Sequence, residues 1–470
     1  MLRRALRVLL RPAVSGALLL AVGAATHIPS FLRAFWNPDE GFLATQGRML
    51  ATGTDLYTGV VDRKPPVLPY LYAGVFELFG TDHLWPVKAL ALLAHLATAA
   101  LLLVLARRRY GPTAGLAAAL LYLVASIGLS PPDAHAANFE VFMLPATIAA
   151  VVLADRRRYV WAGIAVAVAA LTKQSGGAVL LPVLWLAWRQ SGRPGVLRAL
   201  VGTAAPVVLV APLFGVGHFL FWVVTGSGGY LSLEGGWLRA VSRAGANLGI
   251  VVAAGLPVVW AAWRGRRLRA DADLWLWLAA SVLAVSAGTR FFGHYFLQLL
   301  PPLTMLGVAG LARGVLRWRT AAWYAVLSAA VFTWMALTWP QARLEHIQSV
   351  ARTVRSETRP GEHVLVWGMN PAMYYFSERP PATRFLTAGF LTNFSGGRPE
   401  RQVGESLAMP GAWDQFVEDL TRTRPELVVD DSGPAAYRPD RIPRFEEYLK
   451  ANYREVARDR HMIIYRRVAS

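Results

Sequence analysis

Long uncharged runs alternate along this chain with short basic turns. "ALALLAHLATAALLLVLA" (89–106) and "LWLWLAASVLAVSAG" (274–288) carry no charged side chain, and a helix that crosses the hydrocarbon core of a bilayer needs about 20 mostly apolar residues. The pattern predicts eleven spans, at 8–28, 86–106, 112–130, 140–154, 159–172, 176–189, 199–224, 246–263, 273–289, 294–312 and 320–339. The first apolar stretch has the form of a signal peptide without a convincing cleavage site, and reads as a retained signal anchor.

The turns between spans carry the second signal. Arg3, Arg4, Arg7 and Arg11 precede the first span. Further clusters lie at Arg107–Arg109, at Arg156–Arg158, at Arg189, Arg193 and Arg198, at Arg264, Arg266, Arg267 and Arg269, and at Arg313, Arg317 and Arg319. Simple alternation puts every cluster on one face, which the positive-inside bias identifies as cytoplasmic. Residues 29–85, 131–139, 173–175, 225–245, 290–293 and everything after 340 then lie outside.

Two outer stretches are too long to be turns. In 29–85, "DEGFLATQGRMLATG" and "PPVLPYLYAGVFELFG" are amphipathic and predict two helices lying along the membrane surface. The polar stretch 341–470 has a usual domain size. It alternates strand-like "HVLVWG" (363–368), "ELVVDD" (426–431) and "HMIIYRRV" (461–468) with helix-like "AWDQFVEDLTRT" and "RFEEYLKANY", a small α/β domain. The expected organisation is a transmembrane catalytic domain, 1–340, including the outer loop 29–85, followed by an extracytoplasmic α/β domain, 341–470.

Composition agrees with a polytopic α-helical membrane protein. The 470 residues are 55% hydrophobic and 16% charged, with mean hydropathy +0.37 and 17 tryptophans. A net charge of +19 raises nucleic acid as a partner, but the cations are scattered among spans rather than gathered on one face, which excludes that class. The chain has no cysteine, so disulfides, thiolate metal sites and thiol nucleophiles are excluded.

The acidic pair in "FWNPDEGFLATQ" (35–46) sits just beyond the first span. Asn37 suits an N-cap, Pro38 the first helical position, and Glu40 the capping-box spacing. That accounts for Glu40 and leaves Asp39 over, although an acid in a first turn also gains from the helix dipole. "VDRKPPVLPY" (61–70) then brings Arg63 and Lys64 to the same outer loop. An outer lysine is commonly a snorkelling anchor; an acid and a cation on one outer loop also suit a reaction on a phosphate-linked substrate.

The order of these features resembles the GT-C glycosyltransferases, in particular the protein O-mannosyltransferase and aminoarabinose-transferase group. The resemblance covers most of 1–340. It rests on the Asp-Glu pair, the Lys-Pro-Pro segment, "NFEVFMLP" (138–145), "LTKQSG" (171–176) and "RFFGHYFLQLLPPL" (290–303). It implies an inverting enzyme of a bacterial plasma membrane. Such an enzyme moves a sugar from a polyprenyl-phosphate donor to a lipid, glycan or protein acceptor outside the cytoplasm, and needs no cofactor. Asp39 matches the catalytic base, with Glu40 beside it, and Lys64 the lysine that holds the carrier phosphate.

Other polar residues in the outer loops are candidate substrate contacts with structural alternatives. Glu140 opens an apolar helix, where a charge is costly unless paired or used; it suits a sugar contact or a pairing with a nearby cation. Asp133 and His135 are two metal-ligand types, but two ligands do not make a site, and no metal is expected. Lys173 suits substrate binding or interfacial anchoring. Arg290, His294 and Tyr295 suit phosphate contact or an aromatic belt with an anchoring cation. Asp430 and Asp431, at the end of a predicted strand, read as solvated loop residues. The rival class is a transporter or lipid-linked-glycan flippase, which predicts charges near mid-span; here the acids and lysines lie in outer loops.

Overall fold

A computed structural model describes residues 9–226, 236–396 and 398–468. Arg3, Arg4 and Arg7 of the first basic cluster, the first residue of the first predicted span, and 227–235 of the outer stretch 225–245 lie outside the described residues. The main helices in chain order are α1 (Pro12–His27), α2 (Pro38–Ala51), α3 (Val67–Phe79), α4 (Trp85–Tyr110), α5 (Pro112–Ser126), α6 (Phe139–Asp155), α7 (Tyr159–Thr172), α8 (Leu180–Val210) and α9 (Val216–Val223), then α10 (Trp237–Ala254), α11 (Leu256–Arg264), α12 (Ala272–Ser286), α13 (Leu300–Ala312), α14 (Trp318–Leu337), α15 (Ala342–Ser356), α16 (Ala372–Ser377), α17 (Ala412–Thr423) and α18 (Pro443–Asn452). The strands are β1 (Val364–Trp367), β2 (Leu427–Asp430), β3 (Tyr453–Asp459) and β4 (Met462–Arg467). Proline opens α1, α2, α5 and α18, where its fixed φ is already helical and no backbone donor is lost.

The chain forms two compact units. The first comprises 1–36, 83–213 and 240–339; the second comprises 37–82, 214–239 and 340–470.

The first unit is helical and apolar. Among the described residues of the chain, five helices are long and apolar enough to cross a membrane, or six if the pair α10 and α11, bent by 89°, counts as one span. Between the expected spans 176–189 and 199–224 the chain breaks: two helical stretches of α8 meet at a sharp kink at Gly192 (φ 60, ψ −151). A Cβ on Gly195 would fall 2.8 Å from the Ala187 carbonyl oxygen, although eight residues of unbroken helix rise about 12 Å, so the chain turns back here. Arg189, Arg193 and Arg198 lie at this turn. Beyond Val210, a short 3-10 turn and Gly215 separate α8 from α9. Helices α7 and α8 approach backbone to backbone. A Cβ on Gly163 would fall 2.1 Å from the Ala199 carbonyl oxygen, and one on Gly202 2.1 Å from that of Val160. Small residues at a seam are what let apolar helices pack this closely.

Ion pairs gather the basic helix ends of this unit. Arg109 donates to Asp155 (2.9 Å) and Asp273 (2.7 Å), Arg313 to Asp271 (2.7 Å), and the Tyr110 hydroxyl to Asp271 (3.2 Å). The C-terminal ends of α4, α6 and α13 thus meet the N-terminal end of α12. All of these loops were assigned to one face by the alternation of arginine clusters.

The second unit holds a small mixed sheet of order β1-β2-β4-β3. β1 and β2 are parallel, with Val364 opposite Leu427, and the remaining pairs are antiparallel. β1 and β2 are buried throughout. Trp367 anchors the core, its ring 3.8 Å from that of Phe445 and 6.1 Å from that of Phe416. The sequence pattern marks β1, β2, β4, α17 and α18 but not β3, "YREVARD", of which only Tyr453 is buried. Helices α2 and α3 belong to this unit as well. Thr45 donates to the Pro371 carbonyl (2.8 Å), and the Arg48 guanidinium donates to that of Tyr375 (3.0 Å) while lying 4.4 Å over the Tyr375 ring.

Candidate active site

The acidic pair splits between two environments. Asn37 caps α2, its side chain accepting from the Glu40 backbone N–H at 3.2 Å. That geometry turns Glu40 inward, to 1% exposure, and leaves Asp39 exposed in the same first turn. Successive residues on a helix point about 100° apart, so one turn presents one carboxylate outward and buries the other.

Asp39 interacts electrostatically with Asp62, which is buried on the loop before α3. Burial pushes the Asp62 carboxyl up to about 6; Asp39 pushes it the same way, while Lys64, the Arg63 backbone N–H and the Arg63 guanidinium oppose the shift. Asp39, Asp62, Arg63 and Lys64 therefore form one electrostatic cluster. The loop that carries it is firmly held. The Tyr57 hydroxyl donates to the Lys64 carbonyl (2.7 Å), Trp222 Nε1 donates to the Tyr57 carbonyl (3.1 Å), and the Val61 N–H donates to the Arg384 carbonyl (3.1 Å). Tyr57 itself has φ 74, an uncommon conformation for a residue with a side chain. The Arg63 guanidinium lies 4.9 Å over the Phe390 ring. Pro65 and Pro66 are buried, and Lys64 is half-buried.

In the first unit, the remaining candidates sort into three groups. Lys173, just past α7, forms an ion pair with Glu140 in the first turn of α6, and its Nζ lies 3.9 Å from the centre of the Tyr295 ring. All three candidates meet, and Glu140 finds its cation in a lysine. The second group is Asp133 and His294. One carboxylate oxygen of Asp133 lies 2.7 Å from His294 Nδ1 and accepts the His294 backbone N–H at 3.0 Å. A Cβ on Gly293 would fall 2.3 Å from that carboxylate, so only glycine lets Asp133 close over this turn. Arg290 sits in the same turn, between Thr289 (φ 51) and Phe291 (φ 48), both left-handed. Arg243 and Asn247 donate to the carbonyls of Arg290 (3.0 Å) and Phe291 (2.9 Å), holding the strained backbone.

His135 goes elsewhere. Its Nδ1 is 3.1 Å from the Ser30 hydroxyl and its ring 5.0 Å from that of Trp36, and burial keeps it well below the usual histidine range. Asp133 and His135 are thus parted, and no group of three or more metal-ligating side chains occurs among the described residues.

Three polar residues escaped the sequence reading. Asp62 stands two before Lys64 in "VDRKPP", and its signal was that spacing. Lys88 is buried in the first turn of apolar α4; a lysine in "WPVKALALL" was visible as a charge at a span entry. Gln46 on α2 is fully buried, and its amide has no hydrogen-bond partner among the described residues; nothing in a glutamine between apolar residues announces that. One expectation is corrected. Asp430 and Asp431 are not solvated loop residues: they are 4% and 6% exposed, because β2 is an inner strand and their carboxylates bond back to Ser432 and Asn370.

Comparison with known proteins bears on the fold. Residues 63–215 match the family model described as dolichyl-phosphate-mannose-protein mannosyltransferase, about a third of the chain. The solved structure of ArnT from Cupriavidus metallidurans in its apo state superposes over nearly the whole length, with a TM-score of 0.63, 19% identity, and 96% of this chain and 97% of that one covered. The chain has a GT-C fold. Two structures of the Archaeoglobus fulgidus oligosaccharyltransferase share it at 12% identity. One, with zinc and sulfate, covers 89% of the GT-C chain described here and 68% of its own, with a TM-score of 0.52. The other, AglB with an inhibitory peptide and a dolichol-phosphate, covers 89% and 69%, with a TM-score of 0.51. No curated protein sequence matches.

Proposed function

We propose that this chain is an inverting glycosyltransferase that moves a sugar from a polyprenyl-phosphate carrier to an acceptor outside the cytoplasm. The observation that carries this reading is the cluster at the start of α2: an exposed Asp39 beside Asp62, Arg63 and Lys64, in a chain with a GT-C fold whose mannosyltransferase match begins at residue 63. Asp39 is the general base. It takes the proton from the acceptor hydroxyl as that oxygen attacks the anomeric carbon, and one displacement opposite the phosphate inverts the centre. A placed carboxylate contributes about 10²–10⁴ in rate. Lys64 stabilises the negative charge that grows on the carrier phosphate as the glycosyl–oxygen bond breaks. Glu40, buried under the Asn37 cap, fixes the first turn that presents Asp39.

The outer face is assigned by the arginine clusters, whose helix ends the ion pairs of Arg109 and Arg313 draw together. The residues 341–470 and the loop 29–85 then lie outside. Arg290, Tyr295 and the Glu140–Lys173 pair are the candidate substrate contacts of the first unit.

The test is turnover by the purified chain with a panel of polyprenyl-phosphate-linked hexoses and pentoses and a membrane extract as acceptor. Acceptor-dependent release of free polyprenyl phosphate, with an inverted anomer in the product, is expected. Release of nothing from any donor, or retention of configuration, contradicts the proposal.

A further inference from the structure

The second unit holds a cavity that the transfer reaction does not use. It opens where the parallel strands β1 and β2 end, and it measures about 500 Å³, within the range of small-molecule sites. The carboxyl ends of adjacent parallel strands are where sheets of this kind commonly bind ligands. Its floor is polar and built. Asp431 follows β2, is 6% exposed, accepts from Asn370 Nδ2, and lies 3.2 Å from His461 Nε2. Asn370 in turn accepts from Arg343 at 3.3 Å. Ser432 lines the cavity and is 5% exposed, and its side chain and backbone N–H both reach the Asp430 carboxylate. The rim carries two exposed guanidiniums, Arg343 and Arg460; beside them His461 and the buried His346 stand edge to face at 5.4 Å, and His346 Nε2 lies 3.3 Å from the Asp459 carboxylate.

This division of charge selects the occupant. A hydrophobic molecule would strand the Asn370 and Asp431 groups. A bare phosphate would meet the Asp431 carboxylate. A metal ion would face two guanidiniums and lack ligands, since no three metal-ligating side chains cluster among the described residues. What fits is a molecule with hydroxyl donors for the floor and a negative group for the rim. We propose that this cavity binds an anionic saccharide, its ring hydroxyls on Asp431, Asn370 and Ser432 and its acidic group between Arg343 and Arg460. The site is separate from the Asp39 cluster in residues and in chemistry, and it stands whether or not the transfer reaction is as proposed.

The test is ligand-observed saturation-transfer NMR on the full chain, purified in a detergent without a sugar headgroup. The probes are glucuronic acid, glucose 6-phosphate, glucose and inorganic phosphate. Saturable binding of at least one acid sugar is expected, with glucose and phosphate each at least about tenfold weaker, the size of one lost charge-assisted contact. A preference between glucuronic acid and glucose 6-phosphate identifies the acidic group as carboxylate or phosphate. Arg343→Ala with Arg460→Ala, both at exposed positions, should weaken acid-sugar binding about tenfold or more with the melting temperature unchanged. Asp431→Asn should weaken glucose and the acid sugars alike. No saturable binding by either acid sugar, glucose or phosphate binding as well as they do, or an arginine variant that binds normally overturns the proposal.

Discussion

Two acid–lysine pairs in this molecule have opposite characters. Glu140 and Lys173 are buried, paired side chain to side chain, and roofed by the Tyr295 ring. Asp62 and Lys64 share a loop: the acid is buried and raised to about 6, while the lysine is half-buried and held through its backbone by Tyr57. A buried pair is fixed by the cost of parting it, because each charge left alone has no water. A half-buried lysine keeps access to a phosphate, and its neighbour's charge changes within the range of mild pH. The first arrangement suits shaping a pocket, the second suits handling an anion.

The largest effect that would break this contrast is on stability. Glu140→Gln or Lys173→Met alone strands a buried charge, an expected loss of about 3–5 kcal/mol. The double variant should recover much of it. Thermal melting of the three variants checks this; single variants as stable as the parent would show that the pair is not closed.

The next effect sharpens the second cluster. Asp62 has a folded value near 6 against 3.8 when free, so the neutral form favours the fold. Its contribution is complete below pH 3.8 and is lost as the pH rises through 6, at most about 3 kcal/mol. Asp62→Asn should flatten the melting temperature between pH 4 and 7 and match or exceed the parent at pH 7. An unchanged pH profile would remove Asp62 as a titrating group.

The smallest is kinetic. Lys64→Ala should weaken use of a limiting polyprenyl-phosphate donor by one charge-assisted contact, about 1.5–3 kcal/mol, and leave melting unchanged. The pair at 140 and 173 would show the reverse balance, stability before turnover.

Much of this was legible in the chain. The capped start of α2 follows from Asn37 and Pro38, and the end of α3 from Gly80 (φ 84). The buried strands β1 and β2 announce themselves as apolar runs. β3 does not, because it lies exposed and its charges hide the alternation; its pairing with β4 decides it. The arginines around Gly192 mark the place where the chain turns, and the two stretches of α8 meet there with almost no residues between them. Among the candidates, Asp39, Lys64, Glu140 and Lys173 are visible as charges out of place in an apolar chain. Which partner each took was not, since Glu140 and Lys173 are joined only by the packing of α6 and α7. Asp431 was misjudged because an acid after a strand is ordinarily solvated, and only the fold buries it.

The central claim is that the first turn of α2 holds one base and one structural acid, and one paired measurement tests it most directly. Asp39→Asn and Glu40→Gln are purified in detergent, and donor turnover and melting temperature are recorded for each. Asp39→Asn keeps the shape of an exposed side chain but cannot accept the proton; it should lose at least about 100-fold in turnover with no change in melting. Glu40→Gln, at a buried position, should keep most turnover and shift the melting temperature instead. An inactive Glu40→Gln beside a working Asp39→Asn, or full activity in both, contradicts the account.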